Sequence, residues 1–241
     1  MLNISGKSNP GKIGFYADNL ISIAKYDFNN QRIEVSKLRF DYDVTMAQMN
    51  NLLDDEASRF KDKPWVQIAG CLFCSMAIFL SLWEPRIFFL AVSLLCFLLP
   101  FVLGIYCKRI GVSTWHGAEH KAIFAYSKWG TTDLDKIKKA PRVNRDCGAG
   151  ILFAVVLPIS LAGILFATVS DLPAFNALLF WTVVVFWAYS NCYINRRFII
   201  FIWFSYLLQY FFTTQEPSDI ELRTAQAALI SLIELANENS L

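Results

Sequence analysis

The sequence predicts a mainly α fold: a polytopic membrane helical bundle of four spans with a short fifth apolar segment, preceded by a small β-hairpin or meander region. Three observations predict it. The 241 residues are 55% hydrophobic and 15% aromatic, with a mean hydropathy of +0.39, more apolar than an ordinary globular domain. Four apolar runs each reach about 20 residues, the length of helix that crosses a bilayer. The first 64 residues differ, with nine Lys/Arg against nine Asp/Glu and short stretches that alternate apolar with polar residues, the period of a strand.

In residues 1–64, Leu20 to Tyr26 and Arg32 to Leu38 alternate around the turn-prone Asp27-Phe28-Asn29-Asn30, a hairpin signal. An earlier strand at Lys12 to Tyr16 completes a meander. Thr45 to Phe60 reads as an amphipathic helix with Met46, Met49, Leu52, Leu53 and Phe60 on one side. The N-terminus lacks the apolar core of a cleavable signal peptide.

The apolar runs are Trp65–Trp83, Ile87–Cys107, Gly150–Val169 and Ala174–Tyr193. Tight links, Glu84-Pro85-Arg86 and Ser170-Asp171-Leu172-Pro173, fold them into two hairpins, residues 65–107 and 150–193. The fifth run, Phe198–Phe212, has 15 residues, a length that favours an interfacial or re-entrant segment within residues 194–241. The loop of residues 108–149 carries nine basic and four acidic residues, whereas the turns on the other side hold one basic residue in all. By the excess of Lys and Arg on the inner side, this loop and the N-terminus face the cytoplasm. Ile220 to Leu235 is an amphipathic helix with Leu222, Ala225, Leu229, Leu232 and Ile233 as its apolar face. Residues 213–241 carry five acidic residues and one Arg, so the basic loop is an electrostatic partner for the tail, and a solvated face is the alternative.

Both histidines stand in Trp115-His116-Gly117-Ala118-Glu119-His120-Lys121. Positions i, i+3 and i+4 of a helix share a face, so His116, Glu119 and His120 point the same way. Two imidazoles at that spacing reach one divalent metal, zinc by preference, and a carboxylate beside them takes a proton from bound water. H-x-x-E-H is the inverted zinc-protease motif. The bland alternative is two histidines without a chemical role. A catalytic zinc site wants three protein ligands, and Cys147 is the best third, with Arg145 beside it favouring the thiolate and available to stabilise negative charge on a substrate. Asp146 and Glu216 are rival ligands, and Glu119 is a third. Of the remaining cysteines, Cys71 and Cys74 read as packing inside a span. Asn144, Gln209, Thr213 and Thr214 are further polar candidates: Gln209 needs a partner in its apolar run, while Thr213, Thr214 and Glu216 serve equally as caps of the last helix. Arg145 and Asp146 form a helix-boundary ion pair on the bland reading, and Lys121 and Lys128 read as anchors to lipid head groups.

The runs His116-Gly117-Ala118-Glu119-His120-Lys121, Arg145-Asp146-Cys147-Gly148, and Gln209 followed by Thr213-Thr214-Gln215-Glu216-Pro217 resemble the YqhQ-like family, bacterial membrane proteins of unknown function described as predicted metal-dependent enzymes. In that family H-G-A-E-H-K, R-C-G and Q-x-x-T-T-x-E-P recur in this order, and the resemblance covers roughly residues 105–235. Two departures stand out. An acidic residue is inserted in the R-C-G run, and the family's G-G-Q-A-V-I-E-G-V-M-M-R motif is degenerate around Ser5-Gly6-Lys7.

The expected function is a metal-dependent hydrolase of the bacterial inner membrane with a cytoplasm-facing site. It acts on a membrane-associated substrate or a small molecule, among membrane lipids and without nucleic acid. The alternative is a non-enzymatic membrane scaffold or transport component whose polar residues form a hydrogen-bonded core.

Overall fold

The computed structural model describes residues 2–44, 46–53, 85–144, 147, 203, 206–207 and 209–238. The chain divides into two compact units. The first comprises residues 1–57, 105–144 and 209–241, and the second residues 58–104 and 145–208.

The first unit is built on a four-stranded antiparallel meander in the order β1 (Ser5–Asn9), β2 (Lys12–Ala17), β3 (Leu20–Asp27) and β4 (Arg32–Arg39). Asp18 and Asn19 close the β2–β3 hairpin, where Ala17 pairs with Leu20. The β3–β4 turn is organised by Asp27, whose carboxylate accepts from the backbone N–H groups of Asn29 and Asn30 and from the Asn30 amide, an Asx turn. These bonds hold the exposed Asp27 carboxyl below its usual range.

Side chains alternate across the sheet, and each face meets its own helices. Ile13, Phe15 and Ala17 of β2 and Leu20 and Ala24 of β3 join the main core with helices α3 (Val112–Trp129) and α5 (Asp219–Glu238). Gly14 and Ile21 face the other way, toward Met49 and Leu53 of α1 (Met46–Leu53). On α5 the buried residues Leu222, Ala225, Ala228, Leu229, Leu232 and Leu235 recur at steps of three and four, the stripe by which a helix lies on a sheet. The matching stripe on α3 is Trp115, Ala118, Ala122 and Ala125. Small alanines let α3 approach closely, and Gly130 in the left-handed conformation (φ 63°) ends it. A short helix, α4 (Leu134–Lys139), follows, capped by Asp133 accepting from the Lys136 N–H.

The polytopic bundle is corrected by these findings. The described residues form an antiparallel sheet with helices packed on it, and among them no helix is long and apolar enough to cross a membrane. Apolar composition states how much surface must leave water, not which architecture removes it. Among the described residues, sheet and helices enclose two clusters of buried apolar side chains. Of the expected spans, Ile87–Cys107 falls in α2 (Pro85–Arg109). Trp65–Trp83, Gly150–Val169, Ala174–Tyr193 and most of Phe198–Phe212 lie outside the described residues. In the second unit, the stretch of α2 as far as residue 104 leaves Leu94, Leu98 and Val102 exposed. Strands occupy the three alternating runs, and α1 begins at Met46 within the expected Thr45–Phe60 helix, whose residues 54–60 are also outside the described set.

The loop before α5 lies directly on α3. The Gln215 N–H donates to the Ser113 carbonyl (2.9 Å), and the Ser113 hydroxyl donates to Gln215 Oε1 (3.0 Å). Gly117 makes this possible, since a Cβ there would run into the Gln215 carbonyl oxygen. Gly117→Ala should therefore destabilise the fold by about 1–3 kcal/mol in denaturant titrations, the usual cost of forced overpacking. Gly14→Ala is the control and should cost less, because the Met49 methyl that its Cβ would meet swings aside. Equal stability of Gly117→Ala and the unsubstituted protein would refute this account of the contact.

Candidate metal centre

Helix α3 carries three ionisable residues in succession, Glu119, His120 and Lys121, each no more than 4% exposed. Successive helical residues point about 100° apart, so three different neighbours must satisfy them.

Glu119 meets β1. The Ser8 hydroxyl donates to Glu119 Oε2 (2.7 Å), and His116 Nδ1 lies 3.2 Å from the same oxygen. Gly6, two residues along β1, leaves room for the carboxylate, because a Cβ there would stand 2.9 Å from Glu119 Cγ. Burial pushes the Glu119 carboxyl up, but the charge and hydrogen bond of His116, with His120 and the Ser8 hydroxyl, outweigh it and leave the group below its usual range.

His120 turns its Nδ1 to the backbone carbonyl of Arg142, 2.8 Å away. A carbonyl only accepts, so this nitrogen carries the proton. An ionised carboxylate likewise assigns the His116 proton to Nδ1. Both rings, 4.2 Å apart between centroids, thus carry at Nδ1 the kind of hydrogen bond that outer-shell partners give to metal-binding histidines. His116, His120 and Cys147 are a possible metal-binding triad, each with one ligand atom to offer. Two imidazoles and a thiol suit zinc. Cys107, at the end of α2, has its thiol pushed up by burial, with His116 pulling the other way.

Lys121 is a correction. It was expected at a lipid surface, yet its ammonium is buried, pairs with Glu216 Oε1 (2.6 Å) and donates to the Lys138 carbonyl (2.8 Å). Glu216 also takes Arg142 Nη1 at 3.1 Å. Burial raises the Glu216 carboxyl, and the bonds and charges of Lys121 and Arg142 prevail and lower it. It does not cap α5. That task falls to Ser218 and Glu221, whose carboxylate accepts from the Ser218 N–H and from the Thr114 hydroxyl, a capping-box geometry.

Gln209 is fully buried, and its Oε1 accepts the backbone N–H of Asn144 (3.0 Å). It opens a π-helical turn, Gln209–Thr213. Thr214, also buried, closes the turn by bonding the Gln209 carbonyl through both its N–H (2.9 Å) and its hydroxyl (3.0 Å). Buried Thr213 Oγ1 has no partner among the described residues. Arg145 and Asp146 lie outside the described residues. The basic loop does meet the C-terminal acids, through Lys138 and Asp219 (2.8 Å) and through the Glu216 pairs, while Glu234 near the end of α5 pairs with Lys37 of β4 (3.0 Å).

A family model described as "Protein of unknown function (DUF1385)" matches residues 92–235, more than half of the chain. The chain belongs to that family. The DUF1385 match takes in α3, the Arg142 loop, the π-helical turn and most of α5, but not β1 with Ser8 and Gly6. No match was found among curated proteins or among solved structures.

Sequence reasoning did not single out Ser8, Gly6 or Arg142. Ser8 and Arg142 stand 111 and 22 positions from their partners in this site, beyond the reach of any local periodicity. The degenerate Ser5-Gly6-Lys7 motif was the one available hint toward β1.

Because its pairing holds Glu216 below the usual glutamate range, its stabilising contribution is complete above that range and disappears as pH falls through the lowered value. Glu216→Gln should thus lose roughly 1 kcal/mol at neutral pH, a modest figure because the side chain is 60% exposed. The difference from the unsubstituted protein should vanish in strong acid. Denaturant titrations across that range check this, and a difference that grows on acidification contradicts the pairing.

Proposed function

We propose that the protein is a metal-dependent hydrolase whose metal is held by His116 and His120, with Cys147 as third ligand and zinc as the fitting ion. The observation that carries the reading is the matched pair of Nδ1 bonds, His116 to Glu119 and His120 to the Arg142 carbonyl. A bound divalent cation would supply Lewis acidity toward a substrate oxygen. The chain's own residues do the rest. Glu119 orients His116 and, with Ser8, keeps the carboxylate ionised, so it acts as a positioning group more readily than as the general base expected from its place in H-x-x-E-H. Arg142, whose carbonyl meets His120, is a further candidate beside Arg145 for stabilising negative charge on a substrate.

The finer kinship, to the bacterial YqhQ-like proteins, belongs to the same proposal and is supported by the order and spacing of the three motifs. Placement at the inner membrane with the site toward the cytoplasm rests on the apolar runs and the basic loop alone.

One observation favours a second reading, a structural polar core: His120 is 2% exposed and bonded to a backbone carbonyl. Metal content separates the two. His120→Ala should lower bound zinc measured by emission spectrometry on purified protein. Glu119→Gln should weaken zinc affinity about 10–100-fold, as loss of an outer-shell partner does. Unchanged zinc stoichiometry in His120→Ala removes the hydrolase reading and leaves the structural core.

A further inference from the structure

An open cleft of about 440 Å³ lies within the first unit, lined by Lys108, Thr114, Arg142, Tyr210, Gln215 and Glu216 among others. Some of its donors are unspent. The Lys108 ammonium makes no hydrogen bond or ion pair among the described residues. The Arg142 guanidinium is stacked 4.2 Å from the Tyr210 ring centre. Its Nη1 bonds Glu216 and its Nη2 the Tyr210 carbonyl, while its buried Nε–H has no partner among the described residues. Gln215 spends its Oε1 on the Ser113 hydroxyl, which leaves its amide N–H groups. On the acceptor side, Glu216 is held by Lys121 and Arg142.

Two cations, Lys108 and Arg142, thus line the cleft with one carboxylate, Glu216, which is already satisfied. An arginine pinned flat by an aromatic ring is preorganised for a planar or tetrahedral oxyanion, and a buried N–H without a partner is costly unless a ligand fills it. A carboxylate ligand would need only the arginine fork. Donors on three separate side chains suit the several oxygens of a phosphate.

We propose that this cleft binds a phosphate-type oxyanion through Arg142, Lys108 and Gln215. Arg142 is shared with the candidate metal centre, since its carbonyl holds the His120 ring while its guanidinium lines the cleft. The cleft therefore gives the proposed hydrolase its substrate class, a phosphate ester. That class rests on the hydrolase reading, whereas oxyanion binding stands on the cleft alone.

The test uses the full chain, stripped of metal by a chelator, with inorganic phosphate as probe in titration calorimetry. Saturable binding is expected, weakened about tenfold by Lys108→Ala and by Arg142→Lys, the worth of one charged hydrogen bond, and unchanged in Lys37→Ala, whose ammonium pairs with Glu234. Thermal melts confirm that each variant is folded. Absence of saturable binding, or affinity in Lys108→Ala and Arg142→Lys unchanged from the unsubstituted protein, overturns the proposal. An equal loss of binding in Lys37→Ala also overturns it, while leaving the metal reading intact. Vesicles of phosphatidic acid separate the two sources of such a group. Co-sedimentation that Lys108→Ala abolishes assigns a lipid head group. Phosphate binding without co-sedimentation assigns a soluble ester, and either result supports the cleft.

Discussion

The structure of the first unit turns on a single constraint: Glu119, His120 and Lys121 are consecutive, ionisable and out of water. A buried ionisable group must find a partner or lose its charge, and a helix aims three successive side chains in three directions. So α3 has to be enclosed by elements that each present the right chemistry. β1 brings a hydroxyl to the acid, the loop after α4 brings a carbonyl to the imidazole, and the segment before α5 brings a carboxylate to the lysine. The segments that converge on α3 are far apart in sequence. The polar demands of one helical turn, as much as apolar packing, decide which parts of the chain must meet.

What could be read from the chain in advance follows the range of the interactions. The alternation of Ile13, Phe15 and Ala17, and the stripe from Leu222 to Leu235, are local patterns, and the strands and the last helix lie where those patterns run. β1 has no such signature. Ser5-Gly6-Lys7-Ser8-Asn9 is polar, because its business is with a carboxylate and not with the apolar core. The histidine pair was visible through its spacing, but the bonds that hold Glu119 and His120 in place come from a serine and an arginine carbonyl that no spacing rule connects to them. Lys121 was misjudged for a related reason: a lysine in an apolar protein suggests a water or lipid boundary, and only the folded arrangement reveals Glu216 waiting inside.

The fold class failed on a different point. Long apolar runs suggested one architecture for the whole chain, yet residues 1–57, 105–144 and 209–241 gather into a unit of sheet and helix. Interleaving in sequence hid it. No continuous stretch contains that unit, so a reading that moves along the chain segment by segment sees a preface, a loop and a tail where the structure has one core built from all three.

The edge position of β1 carries a further consequence. In the ladder Ser8 pairs with Ile13 and Asn9 with Lys12, and a slip of one residue would send every β1 side chain to the opposite face. The carboxylate on α3 would then face Lys7 or Asn9 in place of a hydroxyl. Strand registration thus sets the proton affinity of a helix residue more than a hundred positions away, and the chemistry of the histidine pair is tuned by the way two short strands are laced together.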